Sequence, residues 1–384
     1  MADASSGKLP VVLLLGPHRG AVSGVSTHLN LLFSAGLGQQ VQLNYFQVGS
    51  EGRKENVLSR LLRLLASPVM LAAALLVTRT EIVHLNTSLN PLAYWRDLSY
   101  MVVARLCGSR VIYQVHGGKL PQQFAGDNPL LRTLLRASLS LAEVIVVLAQ
   151  CEFDAYRDFM PGANLRVIPN AIDCAPYRAL QRVPGAPQGA LRLIYIGRLS
   201  RQKGLDEALA GLSLARAEGI EANLVIAGSG PDEAFLRGRV EALGLGQAVR
   251  FAGAVFGAEK MALLAEADVL LFPTYAEGLP YALLECMAAG IPAITTRVGA
   301  IPDVLISGLH GIFVPPRTVP PIAQAIGELA RNRTLLAQMS AACRVRVATR
   351  YSLQRFAGDF SRVYLDADVS RRSGGVRGLW NRSS

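Results

Sequence analysis

At 384 residues the chain exceeds the size at which a single hydrophobic core keeps growing, so two domains are expected. Its 51% hydrophobic content and 36 glycines suit an α/β protein with buried parallel strands and glycine-rich turns between strand and helix. A net charge of +11 asks for an acidic partner, but nucleic acid is disfavoured: only 7% of residues are aromatic, no zinc-finger or RNP-like pattern is present, and the bases are not gathered on one helix.

The first half alternates strand and helix. Val11 to Leu15 reads as a strand, Gly16 to Gly24 as a glycine-rich turn, Ser26 to Ala35 as a helix and Gln40 to Phe46 as the second strand. Further strands are expected at Ile82 to Leu85, Arg110 to Gln114, Glu143 to Leu148 and Leu165 to Ile168, an order of βα units that implies a parallel sheet covered on both faces. Pro176, Pro184, Gly185, Pro187 and Gly189 then crowd an aperiodic stretch, read as a linker over 176–190 between a first domain at 1–175 and a second at 191–350.

After the linker the pattern restarts. Strands are expected at Leu191 to Ile196, Asn223 to Ala227, Val249 to Phe251, Asp268 to Phe272, Ala293 to Thr296 and Gly311 to Val314, with helices at Gly204 to Ala217, Glu233 to Leu243, Glu259 to Ala267 and from Pro321 onward. Two Rossmann-like halves joined by a linker leave a cleft. A terminal helix is expected over 351–368, followed by a basic, disordered tail at 369–384.

No secretory signal is expected, since Met1 to Lys8 is small and polar and the apolar run after it is short. Cys107, Cys151, Cys174, Cys286 and Cys343 are an odd, dispersed set, which favours reduced thiols in a cytoplasmic protein over a disulfide framework. Residues 1–180 carry 16 Lys and Arg against 11 Asp and Glu, and four more Arg follow Ser370. The Leu-rich segment Val57 to Val77 is interrupted by Arg60 and Arg63, so it is not read as a span. A basic half with such a segment suggests a protein resting peripherally on anionic lipid headgroups, and a solvated basic face over a buried helix is the alternative.

The most informative run is AEGLPYALLECMAAGIP. Strand Asp268 to Phe272 is followed by a loop to Leu279, and Pro280 suits the first turn of a helix that ends before Gly290. Glu277 on the loop and Glu285 on the helix thus lie beyond the carboxyl end of a strand, where open α/β sheets bind ligands. Backbone N–H groups of Gly278, Leu279 and Tyr281 point there too, at the positive end of the helix dipole. Carboxylates for hydroxyls beside donors for an anion suit a sugar nucleotide; two solvated acids on an amphipathic helix are the plain alternative. Gly197-Arg198-Leu-Ser-Arg-Gln-Lys203-Gly204 follows the first strand of the second half, and its glycines and cations suit a diphosphate.

The segment Pro273 to Pro292 resembles the acidic signature of glycosyltransferase family 4, retaining enzymes of GT-B fold that use nucleoside diphosphate sugars. The resemblance implies that Glu277 contacts the transferred sugar and Glu285 the ribose, and that Arg198 and Lys203 hold the diphosphate. It further implies Gly24 and Gly230 near the donor, a backbone contact at Val255 to the nucleobase, and His116 at the sugar hydroxymethyl group. Pro169-Asn170-Ala-Ile-Asp173 and the run Thr295 to Pro316 are similar to family segments in the expected order. The usual Gly-Gly of the first loop is here Ser23-Gly24, a departure.

The expected protein is therefore a retaining, metal-independent glycosyltransferase of α/β, GT-B class, with Glu277, His116, Arg198 and Lys203 as its catalytic set. Its donor is UDP- or GDP-linked, and its acceptor a glycan or lipid-linked hydroxyl of cell-surface polysaccharide or glycolipid synthesis. No cofactor is expected, because Arg198 and Lys203 supply in place of a metal the positive charge that a diphosphate calls for. A nucleotide-sugar epimerase of the same fold and a non-catalytic membrane scaffold are the rival readings. A nicotinamide dehydrogenase is disfavoured, because no Gly-x-Gly-x-x-Gly follows the first strand.

Overall fold

The computed structural model describes residues 9–21, 23–50, 55–181 and 189–377, with side chains described to 368. The chain divides into two compact units, residues 1–170 with 353–384 and residues 171–352. In the first unit the order is β1 (Val11–Gly16), α1 (Gly24–Ser34), β2 (Gln42–Gln47), α2 (Val57–Thr78), β3 (Ile82–Leu89), α3 (Pro91–Leu106), β4 (Arg110–Gly118), α4 (Pro121–Ala125), α5 (Pro129–Leu139), β5 (Val144–Val147), α6 (Gln150–Phe159) and β6 (Leu165–Val167). Its six-stranded sheet is parallel, in the order β2-β1-β3-β4-β5-β6. β1 and β5 are apolar at nearly every position because helices cover both faces of the sheet.

The second unit runs α7 (Ala175–Arg178), β7 (Leu191–Ile196), α8 (Leu205–Ala217), β8 (Ala222–Ala227), α9 (Glu233–Ala242), β9 (Val249–Gly253), α10 (Gly257–Glu266), β10 (Val269–Phe272), α11 (Tyr281–Ala288), β11 (Ala293–Thr295), α12 (Ile301–Val304), β12 (Gly311–Phe313), α13 (Pro320–Arg331) and α14 (Arg333–Arg350). Its sheet is also six-stranded and parallel, ordered β12-β11-β10-β7-β8-β9. The winding direction reverses between β1 and β3 in the first sheet and between β7 and β10 in the second. Such switch points open a crevice at the carboxyl ends of the strands.

Helix α15 (Leu353–Arg377) returns to the first unit, where Phe356, Phe360 and Tyr364 are fully buried. It extends beyond the expected 351–368, so residues 369–377 of the expected tail are helical and 378–384 lie outside the described residues. The expected linker 176–190 is not irregular throughout: its start is α7, and 182–188 lie outside the described residues.

The Leu-rich segment departs most from expectation. Arg60 and Arg63 interrupt the apolar run but not the helix: α2 is one continuous 22-residue helix, long and apolar enough by length and composition to cross a membrane. Arg63 is accommodated because its guanidinium is tied back to Glu55 at 2.6 and 2.9 Å. Nor is the helix buried. Only Ser67, Leu71 and Leu75 are covered, packing toward α3 where the Tyr100 hydroxyl donates to Ser67 Oγ at 2.9 Å.

Candidate active site

The crevice between β7 and β10 is built by two loops pressed together. Gly204 closes the turn after β7 at φ 67°, and a Cβ there would stand 2.0 Å from the carbonyl oxygen of Pro273. Only glycine permits both the left-handed backbone and the contact. The turn places the Lys203 ammonium in direct contact with Glu277 Oε1, and Thr274 Oγ1 donates to the same oxygen at 3.3 Å. Gly299 supports the loop from the other side: a Cβ on it would lie 1.9 Å from the Glu277 carbonyl oxygen. Arg198 stands on the same turn, exposed and without an ion pair among the described residues, while its carbonyl accepts the Tyr195 hydroxyl at 2.8 Å.

Glu285 lies in the second turn of α11. Pro280 is the residue before that helix, with extended backbone, and not its first turn as expected. The Lys260 ammonium, from the first turn of α10, reaches Glu285 Oε1 at 2.7 Å. The Tyr177 phenol faces the same carboxylate; burial, then the Glu285 charge, push its titration far up, so the hydroxyl stays protonated and donates to Glu285. Lys260 and Tyr177 escaped the sequence reading. Lys260 occupies an ordinary amphipathic helix, and nothing local ties it to an acid 25 residues on.

The remaining expected donor residues divide. Gly278 is held by its carbonyl, which accepts Ala300 N–H at 2.9 Å, while the Leu279 and Val255 side chains are buried and leave only backbone to face a ligand. Gly230 has a packing reason to be glycine, because a Cβ would stand 2.1 Å from the Leu199 carbonyl oxygen. Gly24 belongs to the first unit and is the first residue of α1 instead of part of a loop; Ser23 caps that helix by accepting Ser26 N–H at 3.3 Å. Val22 lies outside the described residues.

His116, also of the first unit, lies near the carboxyl end of β4 and donates from Nε2 to Asn86 Oδ1 at 2.9 Å. Burial, reinforced by His84, pulls its titration down to about 3, so the ring is neutral at physiological pH and its Nδ1 lone pair is an acceptor. It is not alone. His28 packs edge-on against it with ring centroids 4.5 Å apart, and His84 lies between the Tyr364 hydroxyl and Gln114 Oε1, each 2.8 Å away. Burial lowers His84 to about 4 and holds His28 well below the usual imidazole range. The sequence left His28 and His84 unassigned, because the strand order that joins them to His116 is not a local property.

Two doubly wound parallel sheets, each with a polar crevice at its switch point, define a two-domain α/β protein of GT-B architecture. Anabaena HepE in complex with UDP shares this fold, with TM-score 0.70 and 16% identity over 92% of this chain and 99% of that one. The sequence model described as glycosyl transferases group 1 matches residues 177–346, within the second unit. It is 32% identical over 215 residues to glycogen synthase of Mycobacterium tuberculosis, covering 56% of this chain and 51% of that one. It is 28% identical over 283 residues to the GDP-mannose-dependent alpha-(1-6)-phosphatidylinositol monomannoside mannosyltransferase of M. tuberculosis, covering 70% and 73%. The match thus spans about half the length of the glycogen synthase.

Proposed function

We propose that the protein is a retaining, metal-independent glycosyltransferase of family 4, which moves a sugar from a UDP- or GDP-linked donor to a hydroxyl of a glycan or lipid-linked acceptor. The observation that carries this reading is the pair of lysine-carboxylate contacts, Lys203 with Glu277 and Lys260 with Glu285, at the carboxyl edge of the second sheet. An ammonium has three N–H bonds, so Lys203 can keep Glu277 and still donate to a phosphate oxygen. Arg198, without an ion pair among the described residues, supplies a second cation. Together they stabilise the charge that gathers on the departing nucleoside diphosphate, where fixed cations help the transition state more than the ground state.

Glu277, fixed by Lys203 and Thr274, accepts hydroxyls of the sugar, and Glu285 accepts those of the ribose. In the front-face step the acceptor oxygen bonds to the anomeric carbon as the bond from that carbon to the β-phosphate oxygen breaks. The acceptor proton passes to the departing phosphate, so no protein nucleophile is required. His116, being neutral, acts as a hydrogen-bonding group toward the sugar and not as an acid. HepE was solved with UDP, and the name of the mannosyltransferase contains GDP-mannose, so both nucleotides are represented among similar proteins. The site of action is the cytoplasmic face of a membrane, in cell-surface polysaccharide or glycolipid synthesis, with the protein peripheral on anionic lipid.

Calorimetry with UDP- and GDP-sugars tests the reading. One nucleotide sugar is expected to bind, Glu285→Ala to weaken binding at least tenfold, and Arg198→Ala to lower turnover about 100-fold. Absence of binding by every nucleotide sugar, or wild-type turnover in both variants, would sink it.

A further inference from the structure

The switch point of the first sheet holds a cavity of about 170 Å³, lined by Pro17 after β1, Val48 to Ser50 after β2, Asn86 to Ser88 on β3, and Asn90, Ala93 and Arg96 at the start of α3. Its volume lies below the range usual for drug-sized ligands, so it takes one small headgroup and not a glycan chain. Ser50, Asn86, Thr87, Ser88 and Asn90 bring hydroxyl and amide groups to a lining that is otherwise largely apolar. Arg96 spends Nε and Nη2 on Asp97, at 2.7 and 2.6 Å, which leaves Nη1 to donate. Asn86 connects the cavity to the catalytic side of this unit, because its Oδ1 is the acceptor for His116.

An apolar rim stands beside it. Helices α2 and α3 both start at the carboxyl edge of the sheet, and the Ser67–Tyr100 bond sets them in register. The first turns of α2 expose Val57, Leu58, Leu61, Leu62 and Leu65, and α3 adds Leu92 and Trp95, the last 56% exposed. Arg63 ties this end of α2 to the cavity by donating to Ser50 at 3.0 Å. Arg60 is exposed among the leucines, and no acid occurs from Val57 to Thr78. Leucines to enter acyl chains, an Arg to snorkel and an indole at the margin match an anionic bilayer surface.

We propose that the acceptor is an amphiphilic membrane lipid, its hydroxylated polar head seated in this cavity while the exposed ends of α2 and α3 rest in the bilayer. This rests on the transferase reading and selects lipid over a soluble glycan. The head enters at the switch point, its hydroxyl within reach of Asn86 and its partner His116, and the acyl part never leaves the membrane.

The full chain carrying Trp380→Phe retains Trp95 as its one indole, and Trp380 lies outside the described residues. Vesicles of phosphatidylglycerol and phosphatidylcholine are expected to blue-shift Trp95 emission, brominated acyl chains to quench it, and salt to weaken the binding. Leu61→Ser with Leu65→Ser is expected to abolish the shift while nucleotide-sugar binding by calorimetry stays unchanged. Dihexanoylphosphatidylglycerol below its micellar concentration then probes the cavity. Ala93→Met is expected to weaken its binding at least tenfold with far-ultraviolet dichroism retained, and Ser88→Met serves if Ala93→Met does not fold. Equal binding of glycerol 3-phosphate, wild-type lipid affinity in the folded cavity variants, or no response of Trp95 to vesicles overturns the proposal. If nucleotide sugars bind while the lipids do not, this inference alone fails; if lipids bind and no nucleotide sugar does, the transferase reading fails instead.

Discussion

Glu277, Arg198 and Lys203 fall on turns beyond the carboxyl ends of strands and Glu285 on the helix that follows, and those placements were legible. Their partners were not. The sequence reading sent Lys203 to a diphosphate and Glu277 to a sugar as separate tasks, and the structure puts one directly on the other across 74 residues. The joint rests on Gly204, where any side chain meets the Pro273 carbonyl. Gly204→Ala is expected to cost at least about 1–2 kcal/mol for the left-handed backbone alone, and to lower nucleotide-sugar affinity as the turn shifts. A urea midpoint and a calorimetric affinity both equal to wild type would contradict that account. Gly230 carries the opposite lesson: its glycine is explained by the Leu199 carbonyl, so the residue type alone was not evidence of a ligand.

At the scale of elements, the strands of both sheets were readable because an apolar run bounded by turn residues is a local signal. Helix ends were less so, as Gly24 and Pro280 show. The failure of principle is α2. A run of leucines announces a helix but not what covers it, and the first ten residues of α2 contain none that is buried. With few contacts to hold them, residues 57–66 are expected to exchange their amide hydrogens much faster in water than residues 67–78, whose Ser67, Leu71 and Leu75 are packed. Anionic vesicles are expected to slow the first group selectively. Uniform slow exchange along the helix without lipid would show that packing alone supports it.

For the molecule as a whole, the buried histidines set the response to acid. His84 and His116 titrate near 4 and 3 when folded, against an ordinary value of 6.5, and His28 is lowered as well. The unfolded chain therefore binds more protons below about pH 6.5, and stability is full above that value and falls with falling pH toward 4. Each histidine contributes a slope of at most roughly 1.4 kcal/mol per pH unit. Burial raises the carboxyl of Asp97, which acts in the opposite direction just above its ordinary value of 3.8, so the histidine effect is best read between pH 6.5 and 5. Urea midpoints are expected to drop over that interval and His84→Gln to flatten the dependence; a pH-independent midpoint would contradict the burial. The sequence by itself determined two runs of βα units, the resemblance to a transferase family and the types of residue at the second switch point, since periodicity and turn chemistry act over a few residues. Only the tertiary structure decided which lysine meets which glutamate, that three histidines share one core with α15, and that α2 is bare. Those facts follow from strand order and from which face of each element another element covers, and no short stretch of chain encodes either.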